Sequence, residues 1–148
     1  MHLRYAEKSD ARNILAFIEK AGVDSEGIKE QIQHFVLMED KQGNLQGTLG
    51  IYKLGDKGLL RSLVMSEKVS QEEILALFHE AFRLAWQKEL KDLYLVTNKS
   101  SALPFFHLLG FQEVPPVSSP SVFQRFYQEA VEENEEIYFM HYNVKKEA

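Results

Sequence analysis

Apolar residues recur along this chain with two periods, and the change from one to the other marks out its elements. Between residues 70 and 89, Ile74, Leu77, Phe78, Ala81, Leu84 and Ala85 fall at i, i+3, i+4, i+7, i+10 and i+11, the stripe of an amphipathic helix. Nearer the start, residues 2–6 read as a short strand. Ser9 stands where it can cap a helix whose stripe is Ile14, Leu15, Phe17, Ile18 and Ala21, and Gly22 stops it. A second short helix at 26–32, around Ile28 and Ile32, is weakened by Gly27 inside it. The period then shortens to two. Strands at 34–39, 45–53 and 59–65, separated by turns at Gln42-Gly43-Asn44 and Gly55-Asp56, read as an antiparallel meander.

The β-rich run 92–97 follows the long helix, so residues 59–97 form a strand–helix–strand unit. Its two strands are expected to be parallel and joined by a right-handed crossover. Beyond it come a helix at 101–109 ended by Gly110, a strand at 111–114, and a helix opened by Ser119-Pro120. Val122, Phe123, Phe126, Tyr127 and Ala130 form that last helix's inward face, and a strand at 137–144 closes the chain. The expected fold class is α/β (α+β). It has a mixed, mostly antiparallel sheet of six to seven strands, a parallel fourth and fifth strand, and helices on both faces.

At 148 residues and 45% hydrophobic, the chain fits one core, so a single domain over 1–148 is expected. Apolar runs end well short of the roughly 20 residues that cross a bilayer, and no basic segment precedes an apolar one. A soluble, unprocessed chain with no membrane partner follows as an expectation. The absence of cysteine excludes a disulfide framework, a thiolate zinc site and a cysteine nucleophile, and agrees with a cytoplasmic location. A net charge of -5 argues against nucleic acid as a partner. The five histidines form neither HxH nor HExxH, so no metal is expected. The acidic run Glu132 to Glu136 reads as a solvated turn.

Three segments carry a resemblance. They are Leu60-Arg-Ser-Leu-Val-Met65, Leu93-Tyr-Leu-Val-Thr-Asn98, and the spacing Ala102-x-x-x-Phe106-x-x-x-Gly110-Phe111. With the order of elements they resemble the GNAT superfamily of acyl-CoA-dependent N-acyltransferases. The paired phenylalanines in Ser101-Ala-Leu-Pro-Phe105-Phe106 look like the small branch of amino-acid N-acetyltransferases of the N-acetylglutamate synthase and arsenic-resistance type. The resemblance spans nearly the whole chain and is strongest from 57 to 111.

What it implies is an acetyl-CoA site in which two parallel strands splay apart and offer main-chain groups to the pantetheine arm. Leu63, Val64 and Met65 would supply those groups, and the Met65 N–H would face the thioester oxygen. The resemblance also gives cofactor contacts to Lys68, Val69, Ser70 and Gln71 in the pyrophosphate loop, and to Asn98, Ala102, Phe105 and Phe106. The loop itself departs from the family. Ser66-Glu-Lys-Val-Ser-Gln-Glu-Glu-Ile74 lacks the glycines through which backbone N–H groups approach a pyrophosphate. Ser70-x-x-Glu73 is a capping box, so the segment reads either as an anion site or as a self-capped helix start. Phe106 stands where the family often has the tyrosine that protonates the departing thiolate.

Arg61, in an otherwise apolar strand, reads equally as a binder of a substrate carboxylate and as a surface ion pair. Glu39 reads as a solvated strand end or as a general base. His79 and His107 lie on helices, where a hydrogen-bonded structural role is the ordinary one. Two functions stand side by side. One is an N-acetyltransferase moving an acetyl group from acetyl-CoA to the primary amine of a small, amino-acid-like molecule. The other is a catalytically degenerate GNAT-like domain acting as a ligand-binding or protein-interaction module. The apolar face of the 119–131 helix fits the closing of a substrate site and a homodimer interface equally well.

Overall fold

The computed structural model describes residues 1–133 and 136–146. Its strands are β1 (His2–Tyr5), β2 (Phe35–Glu39), β3 (Leu45–Leu54), β4 (Lys57–Met65), β5 (Asp92–Thr97), β6 (Gln112–Glu113) and β7 (Tyr138–Asn143). They form one sheet in the order β1-β2-β3-β4-β5-β7-β6. Every pairing is antiparallel except that of β4 with β5. This is the mixed sheet expected from the sequence.

The helices are α1 (Ala11–Lys20), α2 (Gln71–Gln87), α3 (Leu103–Leu109) and α4 (Ser121–Glu133). Alternation along the strands gives each layer its own core. Val36, Met38, Leu49, Ile51, Leu60, Leu93 and Met140 point to one face, where Leu77, Phe78, Ala81 and Phe82 of α2 and Phe106 of α3 meet them. Phe35, Leu37 and Val64 point to the other face and pack on Ile14 and Ile18 of α1. On that second face Leu59, Tyr94 and Phe139 receive Phe123 of α4. Among the described residues no helix is long and apolar enough to cross a membrane.

Several local expectations are corrected. Ser9 does not cap α1. The helix is entered through a 3-10 turn at Lys8–Asp10, where the Asp10 carboxylate accepts the Glu7 N–H at 2.7 Å. The segment expected as a helix at 26–32 is a 3-10 helix at Lys29–His34, because Gly27 at φ +78 turns the chain just before it; Ile28 and Ile32 are nonetheless buried. The long helix stops at Gln87 and the chain reverses at Glu89, which has φ +61. The acidic run is not wholly a turn. Glu132 and Glu133 end α4, Glu136 accepts a hydrogen bond from the Tyr138 hydroxyl at 3.0 Å, and residues 134 and 135 lie outside the described residues.

Where the two parallel strands meet decides what the sheet can hold. Their register runs only through Lys57↔Asp92, Gly58↔Leu93 and Leu59↔Tyr94. At this closed end a Cβ on Gly58 would sit 2.6 Å from Ile51 Cγ2 and 3.0 Å from Leu90 and Leu93, so only glycine leaves room for these side chains. Polar groups clamp the same end. Lys57 Nζ donates to Asp92 Oδ2 at 2.6 Å, and His141 Nε2 donates to Asp92 Oδ1 at 2.7 Å.

Burial alone would raise the Asp92 pKa, but the Lys57 ammonium and the His141 hydrogen bond outweigh it and hold the carboxyl below its ordinary value. A carboxyl depressed in the folded state stabilises the fold above its unfolded pKa of about 3.9, and that stability is lost as pH falls through the lower folded value. Asp92→Asn is therefore expected to cost about 1–2 kcal/mol near neutral pH and to flatten the stability profile below about pH 4. Urea unfolding of both proteins at pH 7 and pH 3 checks this.

Candidate functional site

Past Leu59 and Tyr94 the parallel strands separate. The far half of β4 keeps its bonds to β3, and the far half of β5 keeps its bonds to β7, through Leu95↔Met140, Val96↔Phe139 and Thr97↔Tyr138. The facing edges of β4 and β5 are thereby left without each other. A cavity of about 710 Å³ opens between them, with Leu63 and Met65 on one side and Leu95 to Lys99 on the other. Ile74 and Phe78 of α2, Ala102 just before α3, and Phe105 and Phe106 of α3 close it on the first face. The rings of Phe78, Phe105 and Phe106 meet edge to face with centroids 5.7 to 5.9 Å apart. Such packing makes a rigid apolar wall.

Hydrogen-bond alternation along β4 sets which groups look into the opening. Ser66 N–H donates to Gln46 O at 2.8 Å, and the register places Met65 opposite Gly47 and Val64 opposite Thr48. In an antiparallel ladder bonded and non-bonded pairs alternate. Val64 thus turns its main-chain groups to β3, while the N–H and C=O of Met65 point away from β3 into the gap.

Just upstream the register slips between Thr48 and Gly50. Ser62 takes a positive φ of 59° there, and its carbonyl accepts the Thr48 hydroxyl at 2.9 Å. This bulge bends β4 away from β5. Nothing in the composition of Leu60–Met65 marks Ser62 for that conformation, which is why the sequence did not reveal it.

The residues singled out from the sequence divide into two groups. Leu63, Met65, Gln71, Asn98, Ala102, Phe105, Phe106 and Arg61 line the cavity. Val64 does not, because its side chain belongs to the α1-side core. Val69 packs against the α2-side core instead, and Lys68 donates its N–H to Ser66 Oγ within its own turn. Ser70 caps α2: its hydroxyl accepts the Glu73 N–H at 3.2 Å, and Glu73 accepts the Ser70 N–H at 2.9 Å. An extended arm carrying amides fits the open strand edges. At the start of α2 the capping box already engages the Ser70 and Glu73 N–H groups, two of the donors a pyrophosphate would use there.

Glu39 also lies away from the cavity. It accepts Arg4 Nε at 2.8 Å, and Arg4 reaches Asp10 at 2.7 Å with its other end. The charge-assisted bonds to Asp10, together with this pairing, raise the Arg4 pKa above its ordinary value. A carboxylate held this way, outside the cavity, is not placed to meet a substrate there.

Arg61 is better placed. Its side chain is mostly buried, its guanidinium carbon stands 4.6 Å over the Phe126 ring of α4, and its nearest carboxylate is the exposed Asp24 at 3.8 Å. The stacked face is engaged and the charge is only loosely neutralised. Residues that the sequence reading did not count among the site also reach it. Ala130 at the end of the α4 stripe and Ile137 before β7 line it, so α4 covers the second face of the opening. The inward spacing of Ala130 on α4 was visible; the side of the sheet it covers was not.

No family model matches the chain. It is similar to the "Uncharacterized protein YwlB" of Bacillus subtilis (strain 168), at 39% identity over 116 residues that cover 78% of this chain and 79% of the other. Among solved structures it is similar to N-acetylglutamate synthase from Neisseria gonorrhoeae complexed with coenzyme A and N-acetyl-glutamate. The identity there is 19% and the TM-score 0.77, over 97% of this chain but 35% of that one, so this chain spans about a third of the synthase's length. It is similar too to an acetyltransferase of GNAT family from Staphylococcus aureus MU50, at 19% identity and TM-score 0.73, over 97% and 99% of the two chains. At these identities the structural likeness establishes the fold.

Proposed function

Because the chain belongs to the family of the Bacillus subtilis protein YwlB and has the GNAT fold, we propose that it is an N-acetyltransferase. It moves an acetyl group from acetyl-CoA to the primary amine of a small, amino-acid-like molecule. The observation that carries this reading is the parallel pairing that stops at Leu59↔Tyr94, with an apolar-walled opening beyond it. The free edges of Leu63 and Met65 pair with the amides of the arm as an added strand would. The Met65 N–H meets the negative charge that grows on the thioester oxygen as the amine attacks, a stabilisation set by the backbone before the substrate arrives. With no cysteine in the chain, the amine attacks the carbonyl directly. The C–N bond forms as the C–S bond breaks, the thiolate leaves into the gap, and the amine's proton passes to water. Phe106 has no hydroxyl to protonate the thiolate, so holding amine and thioester together supplies most of the acceleration. A cytoplasmic setting suits a cysteine-free chain.

The reading is tested by thermal unfolding with acetyl-CoA, where a ligand at 100 times its dissociation constant stabilises by about 2.7 kcal/mol. No shift at millimolar acetyl-CoA would sink it. The self-capped start of α2 and the missing hydroxyl at Phe106 favour a second reading, a module that binds ligand without turning it over. A thermal shift with no acetyl transfer to any amino-acid amine would select that one.

Arg61 is the acceptor's anchor in this reading. Arg61→Ala is expected to raise KM for a carboxylate-bearing amine by about tenfold or more with kcat little changed, and Arg61→Lys to fall between. An unchanged KM across a panel of amino acids would return Arg61 to a purely structural role.

A further inference from the structure

The start of α2 has engaged most of its own hydrogen-bond donors, leaving those of Glu67, Gln71 and Glu72. Of the nine residues from Ser66 to Ile74, six give their N–H within the protein: Ser66 to Gln46 O, Lys68 to Ser66 Oγ, Val69 to Ser66 O, Ser70 to Glu73 Oε1, Glu73 to Ser70 Oγ and Ile74 to Ser70 O. An anion at a helix start is held by just such donors together with the positive end of the helix dipole. Here the dipole is met from inside by Glu72 and Glu73 in the first turn. The Ser70 N–H keeps the Glu73 carboxyl below its ordinary pKa, so it is charged at neutral pH. Glu67, Glu72 and Glu73 face a single lysine, Lys68, in the same nine residues. The strand edges a few residues away are in the opposite condition, open and lined by apolar rings.

We propose that this site recognises its donor by the acyl group and the pantetheine arm alone, and takes acyl-pantetheine thioesters whatever follows the arm. The inference rests on the acyltransferase reading above and adds to it which part of the donor is bound. Acetyl-CoA, S-acetyl-4′-phosphopantetheine and S-acetyl-pantetheine then bind alike, and a donor whose arm is attached to something other than the nucleotide is as good a substrate as acetyl-CoA.

Calorimetric titration of the protein with these three thioesters tests it. The expected result is dissociation constants within about threefold of one another, since no added charge-assisted bond separates them. A preference for acetyl-CoA over S-acetyl-pantetheine of about tenfold or more would overturn the inference while leaving the transferase reading intact, because such a gap needs at least one good nucleotide or phosphate contact. Failure of all three at millimolar concentration would remove the reading itself and the inference with it.

Glu73→Ala, which frees the Ser70 N–H and removes a charge while Ser70 keeps its cap, supplies a second check. Acetyl-CoA is expected to bind this variant about tenfold more tightly, with S-acetyl-pantetheine unchanged. An equal change for both ligands, or none for either, would overturn the role given to the cap.

Discussion

Replacing Met65 by proline is expected to lower kcat/KM for acetyl transfer by about 10²- to 10³-fold while the protein stays folded. The substitution removes the Met65 N–H, which the sheet does not use, and exchanges a cavity-lining side chain for a small ring. Ser66 bonds to Gln46 and Val64 stands opposite Thr48, so the Met65 amide belongs to the side that has lost β5. Proline is tolerated at a strand position whose N–H faces away from a ladder.

The same change one residue earlier behaves in reverse. Val64→Pro removes a donor to β3, leaves a buried acceptor beside the fully buried Thr48, and strips a side chain from the α1-side core. It is expected to destabilise by about 2–4 kcal/mol. Circular dichroism melts and steady-state rates on the two variants separate the effects. A Met65→Pro protein that keeps activity within about threefold of the parent would remove the main-chain donor from the mechanism, since one such donor is worth at least tenfold.

This contrast also shows how far the sequence could be read. Period alone located the long helix, because α2 buries Leu77, Phe78, Ala81, Phe82, Leu84 and Ala85 against a sheet that cannot accept another face. The meander and the parallel pair followed from turn residues and from the crossover length. The Ser70–Glu73 box was legible as chemistry, because both partners lie within one helical turn.

What failed depended on distance or on backbone geometry. Glu39 is tied by Arg4, 35 residues away, and only the β1–β2 register brings them together. Ser9 caps nothing because it lies inside the 3-10 turn Lys8–Asp10, whose Asp10 carboxylate bonds back to the Glu7 N–H and is held there by Arg4. Ser62 adopts a conformation that its residue type does not announce, yet its bulge turns β4 out of the plane that β5 needs.

The second large effect should come from filling the gap rather than from removing a group. Ala102 lines the cavity at the entry to α3 and only borders the α2-side core. A larger side chain there projects into open volume instead of into packed atoms, so Ala102→Trp is expected to change stability by less than about 1 kcal/mol. An indole is rigid and cannot fold aside as a methionine would. It would occupy the corridor between the facing edges of β4 and β5 and deny the arm its main-chain partners. Binding of acetyl-CoA and of S-acetyl-pantetheine should both weaken by about 100-fold or more, equivalent to about 2.7 kcal/mol of lost interaction.

Ala102→Ser, which adds a single oxygen, should leave both affinities near the parent value. If the tryptophan variant bound either thioester normally, the arm would have to lie somewhere other than between the strands. The Met65 donor would then have no carbonyl to face.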